Sequence, residues 1–169
     1  MEAEELRALQ APLKQQYRDD PGKGLVTLRA SGSLGGPGVS CRVETGRALV
    51  EAGLHPATGG TGLQACSGDM LLEALAACAG LTLRAVATAL EIPVRGGTVE
   101  VEGDLDFRGT LGVSKEVPVG FQTIRVHFTL DSEATGEQLD TLSKLTERYC
   151  VVLQTLRSPP LVTVRQEKA

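Results

Sequence analysis

Aromatic side chains are scarce in this chain: its 169 residues include no tryptophan, two tyrosines and three phenylalanines. A core with so few rings has to be filled by Leu, Val, Ala and Ile. Charge of one sign is not concentrated either. The 17 basic and 21 acidic residues give a net charge of −4, with no basic block and no basic stripe interleaved with aromatics, so nucleic acid is not an expected partner. No pair among the four cysteines stands at CxxC or CxxH spacing, which argues against a zinc site and against a secreted disulfide scaffold. No metal and no organic cofactor is expected. The start, Met1-Glu2-Ala3-Glu4-Glu5-Leu6, lacks the basic opening and apolar run of a secretion signal, and a cytoplasmic protein with mostly reduced thiols is the expectation. The nearest thing to a membrane span, Met70 to Leu90, contains Glu73 and Arg84 and reads as a buried core helix, so no membrane partner is expected. Gly59-Gly60-Thr61-Gly62 is not a phosphate loop, since no Lys-Ser/Thr follows.

What is present has the length of one domain, 1–169, opening with a helical extension over 1–22 that carries Leu6, Leu9 and Leu13 and stops at Asp20-Pro21-Gly22. Leu25–Arg29, Val39–Glu44 and Arg47–Glu51 read as strands, with a turn-rich loop from Gly32 to Gly38 and a flexible stretch from His55 to Gly62. Ser67 reads as a helix N-cap with Asp69 in the first turn, and the helix runs to about Leu90 before Ile92-Pro93. Being apolar nearly all round, it is expected to be buried from several sides. Glu73 and Arg84 fall roughly 20° apart on a regular helix, with Ala77 and Gly80 between them, a narrow polar stripe floored by small side chains. Gly97–Phe107 and Ile124–Leu130 alternate as strands. Leu139, Leu142, Leu145 and Tyr149 mark one helix face, Val151–Leu156 a further short helix, and Leu161–Val164 a closing strand. The order β-β-β-α-β-β-α-β implies an α+β fold, antiparallel strands packed on two central helices.

The chemistry-bearing residues are few. Cys78 lies inside the long apolar helix and Cys150 just past the amphipathic one. Two thiols so placed are able to meet, and such a pair can carry peroxide chemistry, one attacking and the other resolving the sulfenic acid as a disulfide. Spacing alone does not bring them together, and a cysteine among Ala and Leu is also a good small filler whose burial silences it. Cys66, just before the helix, is the local rival, because helix N-terminal amides lower a thiol pKa. Cys41 reads as core. His55 is either a general base or a loop residue, the latter favoured because no acid or metal-ligand spacing supports the former. His127 reads as a sheet-face residue, and the Glu73/Arg84 pair as a structural contact.

These elements, in this order, with a cysteine in the first core helix and another after the second, resemble the OsmC/Ohr family. The closest passages are Met70–Cys78, Gly109–Val113, Val119–Phe121 and Leu145–Cys150. The resemblance runs from about Gly24 onward. It implies an intertwined homodimer with two active sites at the subunit interface. It also implies Cys78 as peroxidatic nucleophile toward organic hydroperoxides, Cys150 as resolving thiol, and an external dithiol, such as a lipoyl group, as reductant. Three departures stand out. The Asn-Pro-Glu phrase of the well-studied peroxidases corresponds to Cys66-Ser67-Gly68-Asp69, which puts Gly68 at the Glu position. The Pro that usually follows the second cysteine is Val151. The arginine that activates the thiol has Arg29, Arg42 and Arg47 as candidates.

The expectation is therefore a thiol-dependent peroxidase of organic hydroperoxides working through Cys78 and Cys150. The first alternative is a non-catalytic dimer of the same fold serving as a stress or small apolar ligand-binding protein. The second is a thiol enzyme built on Cys66 with His55.

Overall fold

Alternation of apolar and charged residues in Val99-Glu100-Val101-Glu102, and again in Ile124-Arg125-Val126-His127, becomes one long antiparallel ribbon. The computed structural model describes residues 49–112 and 114–168, the backbone at 31–34 and 40–44, and positions 2–5, 8, 10, 11, 15 and 19, of which all but position 2 are helical. In chain order the elements are β1 (Ser31–Leu34), β2 (Ser40–Glu44), β3 (Leu49–Gly53), β4 (Ala65–Cys66), α1 (Ser67–Ala89), β5 (Val94–Leu105), α2 (Phe107–Thr110), β6 (Phe121–Ser132), α3 (Gly136–Tyr149) and α4 (Val151–Arg157). The architecture is α+β. β1, β2 and β3 form an antiparallel meander, and the short β4 pairs parallel to β3 through Ala52 with Ala65 and Gly53 with Cys66. Among the described residues β5 and β6 form a separate two-stranded sheet.

In the ribbon, Val99, Val101, Ile124, Val126 and Phe128 turn inward, while Glu100, Glu102, Asp104, Arg125 and His127 face solvent. This period of two buries one face and leaves the other charged. On the outer face Arg125 bridges Asp104 and Glu102, and Arg95 bridges Asp131 and Glu133. Gly103 has a packing role: a Cβ there would stand 2.6 Å from the Phe121 ring, so its missing side chain lets that ring lie across β5.

α1 packs on β5, α3 and α4. Its buried residues are Leu75, Ala79, Leu83 and Ala87, every fourth position and so a single stripe. Among the described residues the helix is not buried from several sides: Leu81, at 73% exposure, projects from the opposite face with Ala74 and Ala85. The helix ends in a Schellman turn. Glu91 takes φ +56°, its amide bonds the Thr88 carbonyl, and the Ile92 amide bonds the Ala87 carbonyl. Ile92 then packs on Leu83, Ala87 and Leu142, the first core cluster. Truncating Leu142, fully buried there, is expected to cost about 2–5 kcal/mol. α3 opens with a reciprocal capping box between Thr135 and Gln138.

Three readings of the sequence change. Cys66, not Ser67, is the N-cap of α1, without a side-chain cap, because pairing with Gly53 holds Cys66 extended up to the first helical residue. Gly32–Leu34, read as the start of a turn-rich loop, belongs to strand β1 (Ser31–Leu34), paired with β2 from Ser31 opposite Glu44 to Leu34 opposite Cys41. Leu161–Val164 forms no strand and lies exposed, Leu161 at 94%, with no ladder partner among the described residues. The strand expected at Leu25–Arg29 lies outside the described residues.

Candidate functional site

Cys78 sits on the flank of α1, half-buried, between the buried stripe and the open face. Cys150 is fully buried and serves as the C-cap of α3 and the N-cap of α4 at once, with extended backbone at φ −71°, ψ 107°. That single extended residue breaks what would otherwise be one continuous helix. Its own amide bonds the Thr146 carbonyl behind it, and its carbonyl accepts from the Gln154 amide ahead. The break turns the first amides of α4 toward α1.

The two cysteines that the sequence leaves far apart are thereby in contact. Cys78 packs against the cluster of Leu75, Ala79 and Cys150, close enough for each thiol to bear on the other's ionisation; both are free thiols. Burial raises the Cys78 pKa, but the amides of Val152 and Val151 and the Cys150 thiol favour its thiolate and hold it below the ordinary thiol value. Thr82, one turn on, donates its hydroxyl to the Cys78 carbonyl at 2.7 Å, which leaves the amides as the main donors to the sulfur. At Cys150 burial dominates, and the neighbouring Cys78 adds to it, so this thiol is pushed up despite the Leu153 amide. The pair is polarised, one sulfur poised to ionise and the other to keep its proton.

No arginine, lysine or histidine among the described residues hydrogen-bonds Cys78. Arg29 and Arg47 lie outside the described residues, and Arg42 is described by its backbone alone. Arg148 lies over the Tyr149 ring, and Arg157 pairs with Glu147 at 2.9 Å. Glu73 is exposed, and Arg84 donates to the Val94 carbonyl. Sequence reasoning did not find the Val151 amide as a donor. The signal was there, since Val151 stands where the resemblance leads one to expect proline, which has no N–H.

Cys66 is half-buried at the start of α1, roughly 18 Å along the helix from Cys78. His55 accepts the Ala57 amide on Nδ1 at 3.0 Å and stacks on Phe107 with ring centroids 4.8 Å apart. It caps the 3-10 turn Pro56–Thr58, and no hydrogen bond joins it to Cys66. These two residues do not form a catalytic pair. Cys41 lies in β2, opposite Ala52, and His127 is on the solvent face of the ribbon.

Between β6, α3 and α4 lies a cleft of about 470 Å³, with Phe121, Ile124, Phe128, Thr146, Cys150 and Leu153 in its wall. Cys150 lines it and Cys78 does not. Thr146 is 2% exposed, and its hydroxyl has no hydrogen-bond partner.

The family model described as OsmC-like protein matches residues 60–165. Solved structures of similar fold include an OsmC-like protein from Mycoplasma pneumoniae (TM-score 0.66, 16% identity, covering 79% of this chain and 89% of that one). Organic hydroperoxide resistance proteins are also among them. One is from Elizabethkingia anophelis (TM-score 0.64, 18% identity, 80% and 91% covered) and another from Legionella pneumophila (TM-score 0.62, 18% identity, 79% and 91% covered). Comparison with curated protein sequences finds no match. At these identities the solved structures establish the fold, while the family match spans more than half of the chain: this protein belongs to the OsmC-like family.

Proposed function

We propose that the protein is a thiol-dependent peroxidase that reduces organic hydroperoxides through Cys78 and Cys150. The observation that carries the reading is the packing of the free Cys78 thiol against the cluster that contains the free Cys150 thiol, joined by opposite pKa shifts. The names of the hydroperoxide resistance proteins of like fold agree with it. The Cys78 thiolate attacks one peroxide oxygen and the O–O bond breaks. The other oxygen leaves with a proton as the alcohol, and Cys78 is left as sulfenic acid. The Cys150 sulfur, giving up its proton, then displaces the hydroxyl as water and closes the disulfide. An external dithiol returns the pair to two thiols. A cytoplasmic location, where thiols stay reduced, suits this cycle.

The working unit is a homodimer. The open face of α1, with Leu81 between Ala74 and Ala85, is small and apolar, and a second copy suits it better than water does. Leu81→Glu is expected to give monomers by light scattering; a dimer unchanged by it removes this face from the interface.

A second reading rests on one departure. Gly68 occupies the place of the family glutamate, and no described cation touches Cys78, as suits a non-catalytic binder of small apolar molecules. Intact mass and non-reducing peptide mapping after one equivalent of an alkyl hydroperoxide separate the two. Loss of two hydrogens with a Cys78–Cys150 link is the peroxidase outcome. Thiols left untouched make the binder the better reading.

A further inference from the structure

Thr82 stands four residues after Cys78 on α1, so the two side chains lie one above the other on the same flank of the helix. Its hydroxyl donates to the Cys78 carbonyl at 2.7 Å. Thr88 and Thr141 make the same bond to the Arg84 and Glu137 carbonyls, at 2.8 and 2.9 Å, but there the side chain one turn back is an exposed charged one. Below Thr82 lies a thiol, and both residues are half-buried. A hydroxyl has one hydrogen and rotates to suit its acceptors. Thr82 has two acceptors in reach: the Cys78 carbonyl, and the Cys78 sulfur once it carries charge.

The other donors to that sulfur have no such choice. Val151 and Val152 open α4, where an amide finds no carbonyl within its own helix. Cys150 is fully buried at the break. Among the described donors Thr82 is thus the one that can leave the sulfur and still be bonded. From α4 and the ribbon, Val152, Leu153, Val99, Val101, Ile124 and Val126 pack around Cys78 and its cluster, all of them apolar. Among the described residues the Cys150 thiol, at the junction of α3 and α4, is the one ionisable group that bears on Cys78.

Resting on Cys78 as the peroxidatic thiol proposed above, we infer that Thr82 is a positioning residue, whose hydroxyl turns from the Cys78 carbonyl to the Cys78 sulfur when the thiol ionises. While the sulfur is protonated, the carbonyl is the better acceptor and keeps the hydroxyl. Once the proton has left, the charged sulfur draws it, because hydrogen bonds to an ionised acceptor are the stronger ones. The hydroxyl keeps its own proton throughout. The thiolate is then held from two elements, by the α4 amides and by Thr82 of α1, which fixes its rotamer for attack. After the thiolate has bonded to a peroxide oxygen the sulfur is neutral, and the hydroxyl returns to the carbonyl.

The test compares Thr82→Val, which keeps the shape and removes the hydroxyl, with Thr82→Ser, which keeps the hydroxyl, each in the otherwise unmodified, reduced chain. The probe is iodoacetamide, with its rate at Cys78 read by peptide mapping from about pH 6 to about pH 10. Thr82→Val is expected to move the midpoint of the Cys78 profile upward. Alkylation slows about threefold below the midpoint and not above it, since the thiolate fraction is what changes. Thr82→Ser restores the profile of the unmodified chain. Thr82→Ala, a better helix former without the hydroxyl, matches Thr82→Val. Thr88→Val loses the same kind of helix bond with no thiol beneath it and leaves the profile in place. A midpoint that stays put in both hydroxyl-free variants overturns the inference. So does slowing that is equal at every pH, a serine variant that behaves like the valine one, or an equal displacement by Thr88→Val. An alkyl hydroperoxide probes the peroxidase reading separately. If it leaves Cys78 unoxidised in a chain whose alkylation profile responds to Thr82→Val, the peroxidase reading falls and the hold of Thr82 on the thiolate stands.

Discussion

Cys78 and Cys150 touch, yet the chain surrounds them differently. Cys78 rides on an unbroken helix, and its sulfur faces two amides that belong to another element. Cys150 is the break itself, fully buried, with apolar neighbours from α1 and the ribbon. Burial pushes both thiols up; at Cys78 the amides of Val152 and Val151 overcome it, and at Cys150 the Leu153 amide does not. One extended residue between α3 and α4 thus buries its own thiol and aims the following amides at the other. Backbone, not a charged side chain, supplies the polarisation that the described residues contain.

The strongest way to break the comparison is to remove either sulfur. Cys78→Ser is expected to abolish hydroperoxide-driven oxidation of Cys150, read by mass spectrometry as no loss of two hydrogens. Cys150→Ser leaves Cys78 able to react, and the product gains oxygen without forming a disulfide. Equal reactivity of the two single variants would show that the polarisation has no consequence. Val151→Pro is a finer cut. Proline is favoured at the first helical position, and Cys150 before it is already extended, so the fold accommodates the change while one donor to Cys78 disappears. A hydrogen bond to a charged group is worth about 1.5–3 kcal/mol in general, and partial exposure of Cys78 reduces it. Oxidation at neutral pH is expected to slow about tenfold, with the pH–rate profile displaced upward. A profile that does not move would assign the lowered Cys78 pKa to Val152, Cys150 and Thr82.

How much of this was legible in the sequence depends on the range of the interaction. The ribbon was, because alternation in Val99–Asp104 and Ile124–Leu130 is a local signal that pairing preserves. Helices α1 and α3 were, through the apolar length of the one and the spacing of Leu139, Leu142 and Leu145 in the other, whereas the single turn α2, read as strand end and connection, was not. The cap at Cys66 was not, because a two-residue pairing with β3 decided it and no local pattern encodes that. Burial of α1 was overestimated among the described residues: composition reports that a helix is apolar all round, not which of its faces the rest of the chain covers. Cys78 and Cys150 were nameable as a pair through the family resemblance, while their contact depends on the extended backbone at Cys150 and on α4 meeting α1, a long-range packing that no local pattern encodes. The unpaired hydroxyl of Thr146 was invisible, since threonine in a helix ordinarily finds the carbonyl one turn back.

The smallest expected effect is also the most direct test of opposite polarisation. Cys78 has a pKa lowered in the folded protein, so its thiolate contributes stability above the ordinary thiol pKa, and this is lost as pH falls through the lowered folded value. Cys150 has a raised pKa, so its contribution is complete below the ordinary thiol pKa and is lost as pH rises through the raised folded value. Each single serine variant isolates the other thiol, with Cys41 and Cys66 common to both. Denaturant midpoints measured from about pH 6 to about pH 9 cross the region where an ordinary thiol ionises. The Cys150→Ser protein, which keeps the amides on Cys78, is expected to gain stability relative to the Cys78→Ser protein as pH climbs. Cys150→Ser also removes a thiol that helps lower the Cys78 pKa, so the gain is smaller than in the intact pair. Parallel pH dependences would mean that the break between α3 and α4 places both sulfurs in equivalent surroundings, and the division of labour between them would have to come from the incoming reactants alone.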